Sequence, residues 1–233
     1  MKLMKKVAIF DIDGTIFRSS LLIEVTEALI QAGIFPSHAK KLYHDAYRNW
    51  LDRKDTYHKY IWGVIEAFDT HIQGVDHDIF QKIAEDVVSF HQNRVYRYTR
   101  DLVKELRKKN YHIIAISNSP KELVDAFCRA YGFDKSYGRI YEVNKKGKFT
   151  GGVLHLDLVS DKAKLLRHAA TREGFSLKGS VGVGDSEADI PFLKLVERPI
   201  CFNPNGKLYR YARRVRWEVA VERKDVIYHL HQA

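Results

Sequence analysis

An apolar run that leads directly into two carboxylates constrains this chain more than any other feature of its sequence. Val7-Ala8-Ile9-Phe10 predicts a short strand buried on both faces, and Asp11-Ile12-Asp13-Gly14-Thr15 follows it. Because residues two apart in an extended chain point the same way, we expect Asp11 and Asp13 to face one site. Buried carboxylates need a compensating charge. Two of them suit either a hard cation such as Mg²⁺ or a nucleophile paired with an acid/base.

A long helical segment follows this strand. About eighty residues from Leu21 to near Arg97 show helical spacing and aromatic side chains without any strand signal, and Ser37 begins one helix that runs to about Arg53. The segment is too long for a connecting loop. We therefore predict a helical cap subdomain at 19–97, inserted into a core domain made of 1–18 and 98–233.

Apolar runs alternate with helical patterns in the remaining sequence. This alternation predicts an α/β fold with a doubly wound, mostly parallel sheet. The predicted strands lie at Tyr111–Ile116, Ile140–Val143, Phe149–Leu156, Val181–Gly184, Pro199–Phe202 and Trp217–Val221, with a helix through Phe192–Leu195.

Polar side chains follow three of the predicted strands at the point where each strand ends. Asp11 and Asp13 follow the first strand, Ser117 follows the second and Asp185 follows the third. Because ligands bind outside the carboxyl ends of parallel strands, we expect these side chains to form one site. The three aspartates would suit Mg²⁺, and Asp189, one helical turn beyond Asp185, could hold a metal-bound water.

Groups suited to a phosphoryl oxyanion accompany these carboxylates. Ser117 offers a hydroxyl, the backbone N–H groups at the start of the next helix favour an anion, and Lys162 adds a positive charge. Together with the carboxylates and a divalent cation, they fit the transition state of phosphoryl transfer. The candidate phosphate-binding residues are Thr15, Ser117, Asn118 and Lys162.

The order of these motifs resembles the haloacid dehalogenase superfamily. D-I-D-G-T, the serine after the second strand, the lysine before a helix and G-D-S-E-A-D are similar to its four motifs. The helical insertion is similar to the cap of the phosphoserine-phosphatase-like branch. The resemblance implies a Rossmann-like core and a phosphatase rather than a dehalogenase, because Asp13 occupies the position of the phosphatase acid/base.

The resemblance also implies the role of each motif residue. Asp11 would be the nucleophile that forms an aspartyl-phosphate, and Asp13 would protonate the leaving oxygen and then activate water. Ser117 and Lys162 would bind the phosphoryl oxygens. The implied Mg²⁺ site consists of Asp11, the Asp13 carbonyl and Asp185, with Asp189 supporting it.

The chain departs from phosphoserine phosphatases at two positions. Arg18-Ser19-Ser20 stands where they carry a substrate-binding acid, and Ala188 stands where they favour Asn. The resemblance therefore leaves the identity of the small phosphomonoester substrate open. The alternatives are a phosphotransferase of the same superfamily and a non-catalytic protein that binds phosphate or nucleic acid.

Several candidates also have a purely structural interpretation. Asp185 and Asp189 could be ordinary acids at a helix N-terminus, Ser117 could be an N-cap, and Lys164 could be confused with Lys162. Some side chains of the helical insertion could line a substrate pocket, although aromatic residues in helices more often form a core. These are Tyr43, Tyr47, Arg48, Trp50, Arg53 and Tyr57.

The formal net charge of +10 at pH 7 is strongly positive. The densest basic stretches, Arg94–Lys109 and Arg198–Arg216, are expected to be solvated helix faces. An enzyme that binds phosphorylated substrates explains this charge, so a nucleic-acid partner is the lesser interpretation.

The sequence indicates a cytoplasmic protein without a membrane partner. The basic start, Met1–Lys6, precedes an apolar run too short for a signal peptide, and no run approaches the roughly 18 residues of a membrane span. Cys128 and Cys201 are expected to be reduced, buried thiols. A homodimer is left open.

Overall fold

A mostly parallel eight-stranded sheet lies at the centre of the computed structural model, which describes residues 6–230. The strands are β1 (Lys6–Phe10), β2 (His112–Pro120), β3 (Lys135–Val143), β4 (Phe149–Leu154), β5 (Ser176–Gly184), β6 (Arg198–Phe202), β7 (Glu218–Arg223) and β8 (Val226–His229). Their order is β4-β3-β2-β1-β5-β6-β7-β8, and only the edge strands β4 and β8 are antiparallel to their neighbours. The predicted α/β class is confirmed.

Helices cover both faces of the sheet. The α-helices are α1 (Leu21–Gln31), α2 (His44–Leu51), α3 (Tyr57–His71), α4 (His77–His91), α5 (Arg97–Lys108), α6 (Lys121–Tyr131), α7 (Leu156–Val159), α8 (Lys162–Glu173), α9 (Ile190–Leu193) and α10 (Gly206–Val215). Short 3₁₀ helices lie at Ser37–Leu42 and Glu187–Asp189.

The alternation of side chains along β1 divides the apolar core into two layers. Val7 and Ile9 pack into one cluster with residues of α8, α9 and α10. Ala8 and Phe10 pack into the other cluster, which continues without interruption into helices α1, α3 and α4. All four side chains are fully buried, as the unbroken apolar run predicts for a central parallel strand.

The segment between β1 and β2 is helical, as the sequence predicts. The division of the chain at residues 18/19 and 97/98 stays a prediction. The single helix from Ser37 to Arg53 is wrong, because the chain leaves helical geometry at Tyr43, where φ is −131°. The Tyr43 side chain is buried and its hydroxyl donates to Glu27 at 2.6 Å, so tertiary contacts override local propensity there.

The strands differ from the prediction at their ends, and two central strands are longer than predicted. Strand β5 begins at Ser176 rather than at Val181, and β2 continues to Pro120 rather than ending at Ile116, so Ser117 lies within β2. Strand β3 begins at Lys135 rather than at Ile140, and β8 is an additional strand. Strand β4 ends at Leu154 rather than at Leu156, and helix α9 ends at Leu193 rather than at Leu195. Edge strands are less apolar than central ones, which weakens the signal that identifies them.

Other expectations concern the cysteines and the termini. Cys128 and Cys201 are buried and not disulfide-bonded, as predicted. Within residues 6–230, no helix combines the length and the apolar character that crossing a membrane requires. Residues 1–5 of the basic start and 231–233 of the predicted core domain lie outside the described residues.

Candidate active site

Asp11 lies at the carboxyl end of β1, the strand between β2 and β5. Its backbone N–H donates to the Val183 carbonyl at 3.0 Å, which extends the β1–β5 pairing to the carboxylate. The side chain is buried. Asp11 Oδ1 accepts from Lys162 Nζ at 2.6 Å, and Oδ2 accepts from the Thr15 hydroxyl at 3.2 Å. The sheet therefore fixes this carboxylate before any ligand binds.

Lys162 reaches the site from the first turn of α8. The Asp161 side chain caps this helix by accepting from the backbone N–H groups of Ala163 and Lys164. Lys162 Nζ lies between Asp11 Oδ1 and Asp189 Oδ1, at 2.6 and 2.5 Å. Lys164 is exposed, so the structure distinguishes the two lysines.

The charges of this cluster do not balance. Burial raises the pKa of Asp11 to about 7 even though Lys162 opposes the shift, and Asp189 and Asp13 add repulsion. Burial also raises the pKa of Asp185, and the charges of Asp11 and Asp189 raise it further. Burial disfavours the Lys162 ammonium, but Asp11 and Asp189 outweigh that effect and raise the pKa of Lys162. The excess of buried carboxylates favours an additional cation.

Asp13 accepts hydrogen bonds from three directions. Its Oδ1 accepts from the backbone N–H of Leu21 at 2.6 Å, which ties the first turn of α1 to the site. Its Oδ2 accepts from the hydroxyls of Ser117 at 2.6 Å and Ser119 at 2.8 Å. The predicted acid/base and the predicted phosphate-binding serine are thus neighbours.

Ser119 was not predicted as a site residue. The spacing rule that pairs Asp11 with Asp13 would have found it, because Ser117 and Ser119 are also two apart in an extended chain. Both serines are buried, and the Ser119 backbone N–H donates to Ser117 Oγ at 2.9 Å.

Two predicted phosphate-binding residues form no hydrogen bond with Ser117 among the described residues. The Asn118 side chain is exposed and forms no hydrogen bond with this cluster among the described residues. Thr15 is fully buried, and its hydroxyl donates to Asp11. Its carbonyl accepts from the Thr99 hydroxyl at 2.9 Å. The structure therefore gives Thr15 a place beside the carboxylate rather than on the surface of the site.

The carboxylates form a plausible donor set for a divalent cation. Asp11, Asp185 and Asp189 each bring one oxygen within 4.8 Å of the others. Gly14 leaves the space beside Asp185 open, because a Cβ on Gly14 would lie 2.3 Å from Asp185 Oδ2. Gly14 also has a φ of +79°, which favours glycine. Hard oxygen donors in a negatively charged recess fit Mg²⁺.

Asp189 differs from the other two carboxylates in its contacts. It is fully buried, and Oδ1 accepts from Lys162. Its Oδ2 accepts from the backbone N–H groups of Asp185 and Ser186, both at 3.0 Å. With both oxygens engaged, Asp189 is suited to orienting Lys162 and the loop of Asp185.

The aromatic residues of the helical insertion pack mainly against one another. Tyr43 and Tyr60 are buried, and Trp50 stacks on Tyr60 with ring centroids 5.7 Å apart. Tyr57 packs edge-on against Trp50 at 5.4 Å. Partial burial raises the pKa of the Tyr57 hydroxyl, and the charges of Asp13 and Asp185 raise it further, although the side chain remains 40% exposed.

A family comparison covers most of the chain. The family model of haloacid dehalogenase-like hydrolases matches residues 8–194, a range that includes every site residue described above.

Individual proteins show lower similarity. A histidinol-phosphatase of Neisseria meningitidis is 23% identical over 233 residues, covering 93% of this chain and 98% of that protein. Phosphoserine phosphatase SerB1 of Mycobacterium tuberculosis is 28% identical over 142 residues, covering 60% of this chain and 44% of that protein. The chain thus matches less than half the length of the mycobacterial relative.

A solved structure described as a phospho-aspartyl intermediate analogue of phosphoserine phosphatase has 21% identity and a TM-score of 0.62, covering 95% of each chain, which shows a shared fold.

Proposed function

The chain belongs to the haloacid dehalogenase-like hydrolase family, and from this premise we propose that it hydrolyses small phosphomonoesters through an aspartyl-phosphate on Asp11. The observation that carries the proposal is the position of Asp11 in the cluster. Its Oδ1 is fixed by Lys162, and the residues two and four positions later, Asp13 and Thr15, complete a preorganised site at the end of β1.

In the first step, an oxygen of the Asp11 carboxylate attacks the phosphorus atom of the substrate. The bond between phosphorus and the ester oxygen breaks, and Asp13 in its acid form gives its proton to that oxygen. Lys162 and the Ser117 hydroxyl bind the phosphoryl oxygens as negative charge accumulates on them. The alcohol leaves, and the phosphoryl group remains on Asp11.

In the second step, the Asp13 carboxylate takes a proton from a water molecule. The water oxygen attacks phosphorus, the bond to Asp11 breaks, and inorganic phosphate leaves. The free carboxylate of Asp11 and the acid form of Asp13 are restored. Ser119, which donates to Asp13 Oδ2, is suited to holding this carboxylate in one orientation through both steps. The Ser117 hydroxyl has a single hydrogen, so it turns from Asp13 to the phosphoryl group when substrate binds.

We propose Mg²⁺ as the cofactor, held by Asp11, Asp185 and the Asp13 carbonyl. When bound, it would supply positive charge that offsets the repulsion between the Asp11 carboxylate and the phosphoryl group. Asp189 would support the site indirectly, because its oxygens already accept from Lys162 and from the backbone beside Asp185.

We further propose that residues 19–97 act as a cap that selects the leaving group and excludes water. Leu21 supports this, because its N–H bond to Asp13 places the start of α1 at the site. Tyr57 is the candidate of the cap for contact with the leaving group, because it is partly exposed and the charges of Asp13 and Asp185 raise the pKa of its hydroxyl. The substrates named for the relatives, histidinol phosphate and phosphoserine, are two phosphomonoesters to test first. The buried thiols of Cys128 and Cys201 support a cytoplasmic location.

The test is hydrolysis of p-nitrophenyl phosphate and of a panel of phosphorylated metabolites. We expect turnover that requires Mg²⁺, is abolished by EDTA and is lost in Asp11→Asn. Asp45→Asn, a charge change at a fully solvated position of α2, is the matched control and should retain activity. Absence of Mg²⁺-dependent turnover across the panel would refute the proposal.

A further inference from the structure

The outer face of α10 concentrates positive charge that the proposed reaction does not use. Residues 206–217 contain five basic side chains and no acidic one. Leu208 and Ala212 are buried against the sheet. Arg210 and Arg214 lie four residues apart on the opposite side of the helix, and both are exposed.

Tyr211 brings a further cation to this face from a different part of the chain. Lys194 Nζ lies 5.2 Å from the centroid of the Tyr211 ring, and the Arg214 guanidinium carbon lies 5.0 Å from it. The ring of Trp217 packs beside Tyr211 at 5.1 Å. Cation–π contacts position these charges without neutralising them. We call Lys194, Arg210 and Arg214 the basic patch.

Two acids that neighbour α10, Glu187 beside Lys207 and Glu218 next to Trp217 in the chain, are already engaged. Glu187 pairs with Lys207 at 2.9 Å, and Glu218 pairs with Arg198 at 2.9 Å. Within the part of the chain that the structure describes, no member of the basic patch forms an ion pair with a carboxylate. The patch therefore presents uncompensated charge to solvent.

Helix stability alone does not explain this arrangement. The helix macrodipole favours cations in the last turn, which accounts for Arg214. Arg210 lies in the middle of α10 and Lys194 lies outside it, so the dipole does not account for either. Like charges at i and i+4, such as Arg210 and Arg214, destabilise a helix.

We infer that the basic patch binds the phosphate backbone of a nucleic acid without reading its bases. Guanidinium groups pair with phosphates bidentately, and two arginines one helical turn apart with a lysine beside them match the repeated charge of the backbone. An anionic membrane fits less well, because Leu208 and Ala212 face the sheet, and the exposed Tyr209 and Val215 are six residues apart and form no continuous apolar face. The basic residues are spread along the sequence, and it is the fold that brings Lys194 to α10.

The test is the fluorescence anisotropy of a labelled double-stranded oligonucleotide with hydroxyl ends. The protein is titrated into it in metal-free buffer, and the titration is repeated at several salt concentrations. These conditions exclude binding of a terminal phosphate in the proposed active site. We expect the logarithm of the binding constant to fall linearly with the logarithm of the salt concentration. In the double variant Arg210→Gln/Arg214→Gln the magnitude of that negative slope should be smaller by about 2, because each lost phosphate contact removes about 0.9. Its hydrolysis of p-nitrophenyl phosphate should be unchanged.

The matched control is Lys82→Gln/Lys108→Gln. It removes the same charge from exposed positions of α4 and α5, which pack on the opposite face of the sheet, and it should leave the slope unchanged. Three outcomes would overturn the inference. These are no binding at low salt, an equal loss of binding in both double variants, or a requirement for Arg210 and Arg214 only in binding to phosphatidylserine vesicles.

Discussion

Lys162 Nζ lies 2.6 Å from Asp11 Oδ1, and both side chains are almost completely buried. The pair joins the end of β1 to the first turn of α8 across 151 positions of the chain. One oxygen of Asp11 is thus held by the cation, and the other accepts from the Thr15 hydroxyl at 3.2 Å. A carboxylate with one oxygen fixed by a cation and the other held only by a single hydroxyl at 3.2 Å is suited to attack on phosphorus.

Lys162→Met removes the cation that faces Asp11 and the phosphoryl oxygens. We expect kcat/KM to fall by about 100- to 1,000-fold, the range for loss of one preorganised charge-stabilising group. Without Mg²⁺ the free energy of unfolding should fall by about 3–5 kcal/mol, because two buried carboxylates lose their partner. Steady-state kinetics and urea unfolding measure the two effects. Lys164→Met is the control, and equal activity in the two variants would contradict the assigned role.

Gly14→Ala should weaken Mg²⁺ binding through a direct clash. The added Cβ would lie 2.3 Å from Asp185 Oδ2. The control is Gly33→Ala, since Gly33 has a similar φ of +70° but a Cβ added there would meet no atom within 4 Å. Both variants should lose about 1 kcal/mol of stability from backbone strain. Only Gly14→Ala should raise the Mg²⁺ concentration that gives half-maximal activity, and a similar increase in Gly33→Ala would refute the clash.

Asp189→Asn distinguishes a supporting carboxylate from a metal ligand. Because Asp189 accepts from Lys162 and from two backbone N–H groups, the free energy of unfolding should fall by about 3 kcal/mol. The Mg²⁺ concentration for half-maximal activity should stay near the wild-type value. Asp185→Asn should raise that concentration strongly. Comparable increases in both variants would identify Asp189 as a ligand.

Ser119→Ala tests the serine that the sequence analysis did not select. Ser119 donates to Asp13 at 2.8 Å, and hydrogen bonds to charged groups contribute about 1.5–3 kcal/mol. We therefore expect kcat/KM to fall by about 10- to 100-fold, measured with p-nitrophenyl phosphate. Asn118→Ala changes the exposed residue next to it and should have little effect. If the two variants behave alike, Ser119 does not position Asp13.

The central strands and the convergence of the site could be predicted from sequence because they depend on local patterns. The apolar run before Asp11 specifies a buried strand, and parallel strands place Ser117 and Asp185 at the same sheet edge. The ends of several helices could be predicted from individual capping residues. Asp76 and Asp161 accept from backbone N–H groups of the first turn, and Gly132 ends α6 in the left-handed region.

Features that depend on tertiary contacts could not be predicted. The break at Tyr43 arises from its hydrogen bond to Glu27, a contact between separate elements. The ring contact between Tyr57 and Trp50 joins α3 to α2, and helical spacing does not specify it. The sequence does not predict which groups donate to Asp189, because this depends on where Lys162 and the loop of Asp185 lie in the fold.

Trapping the phosphoryl group on the enzyme tests the account most directly. Asp13→Asn cannot activate the hydrolytic water, but p-nitrophenolate is a good leaving group that needs no protonation. After incubation of this variant with Mg²⁺ and p-nitrophenyl phosphate and an acid quench, peptide mass spectrometry should locate a phosphoryl group on Asp11. The double variant Asp11→Asn/Asp13→Asn should carry none. A phosphoryl group on another residue, or its absence from an Asp13→Asn enzyme that still releases p-nitrophenol, would contradict Asp11 as the nucleophile.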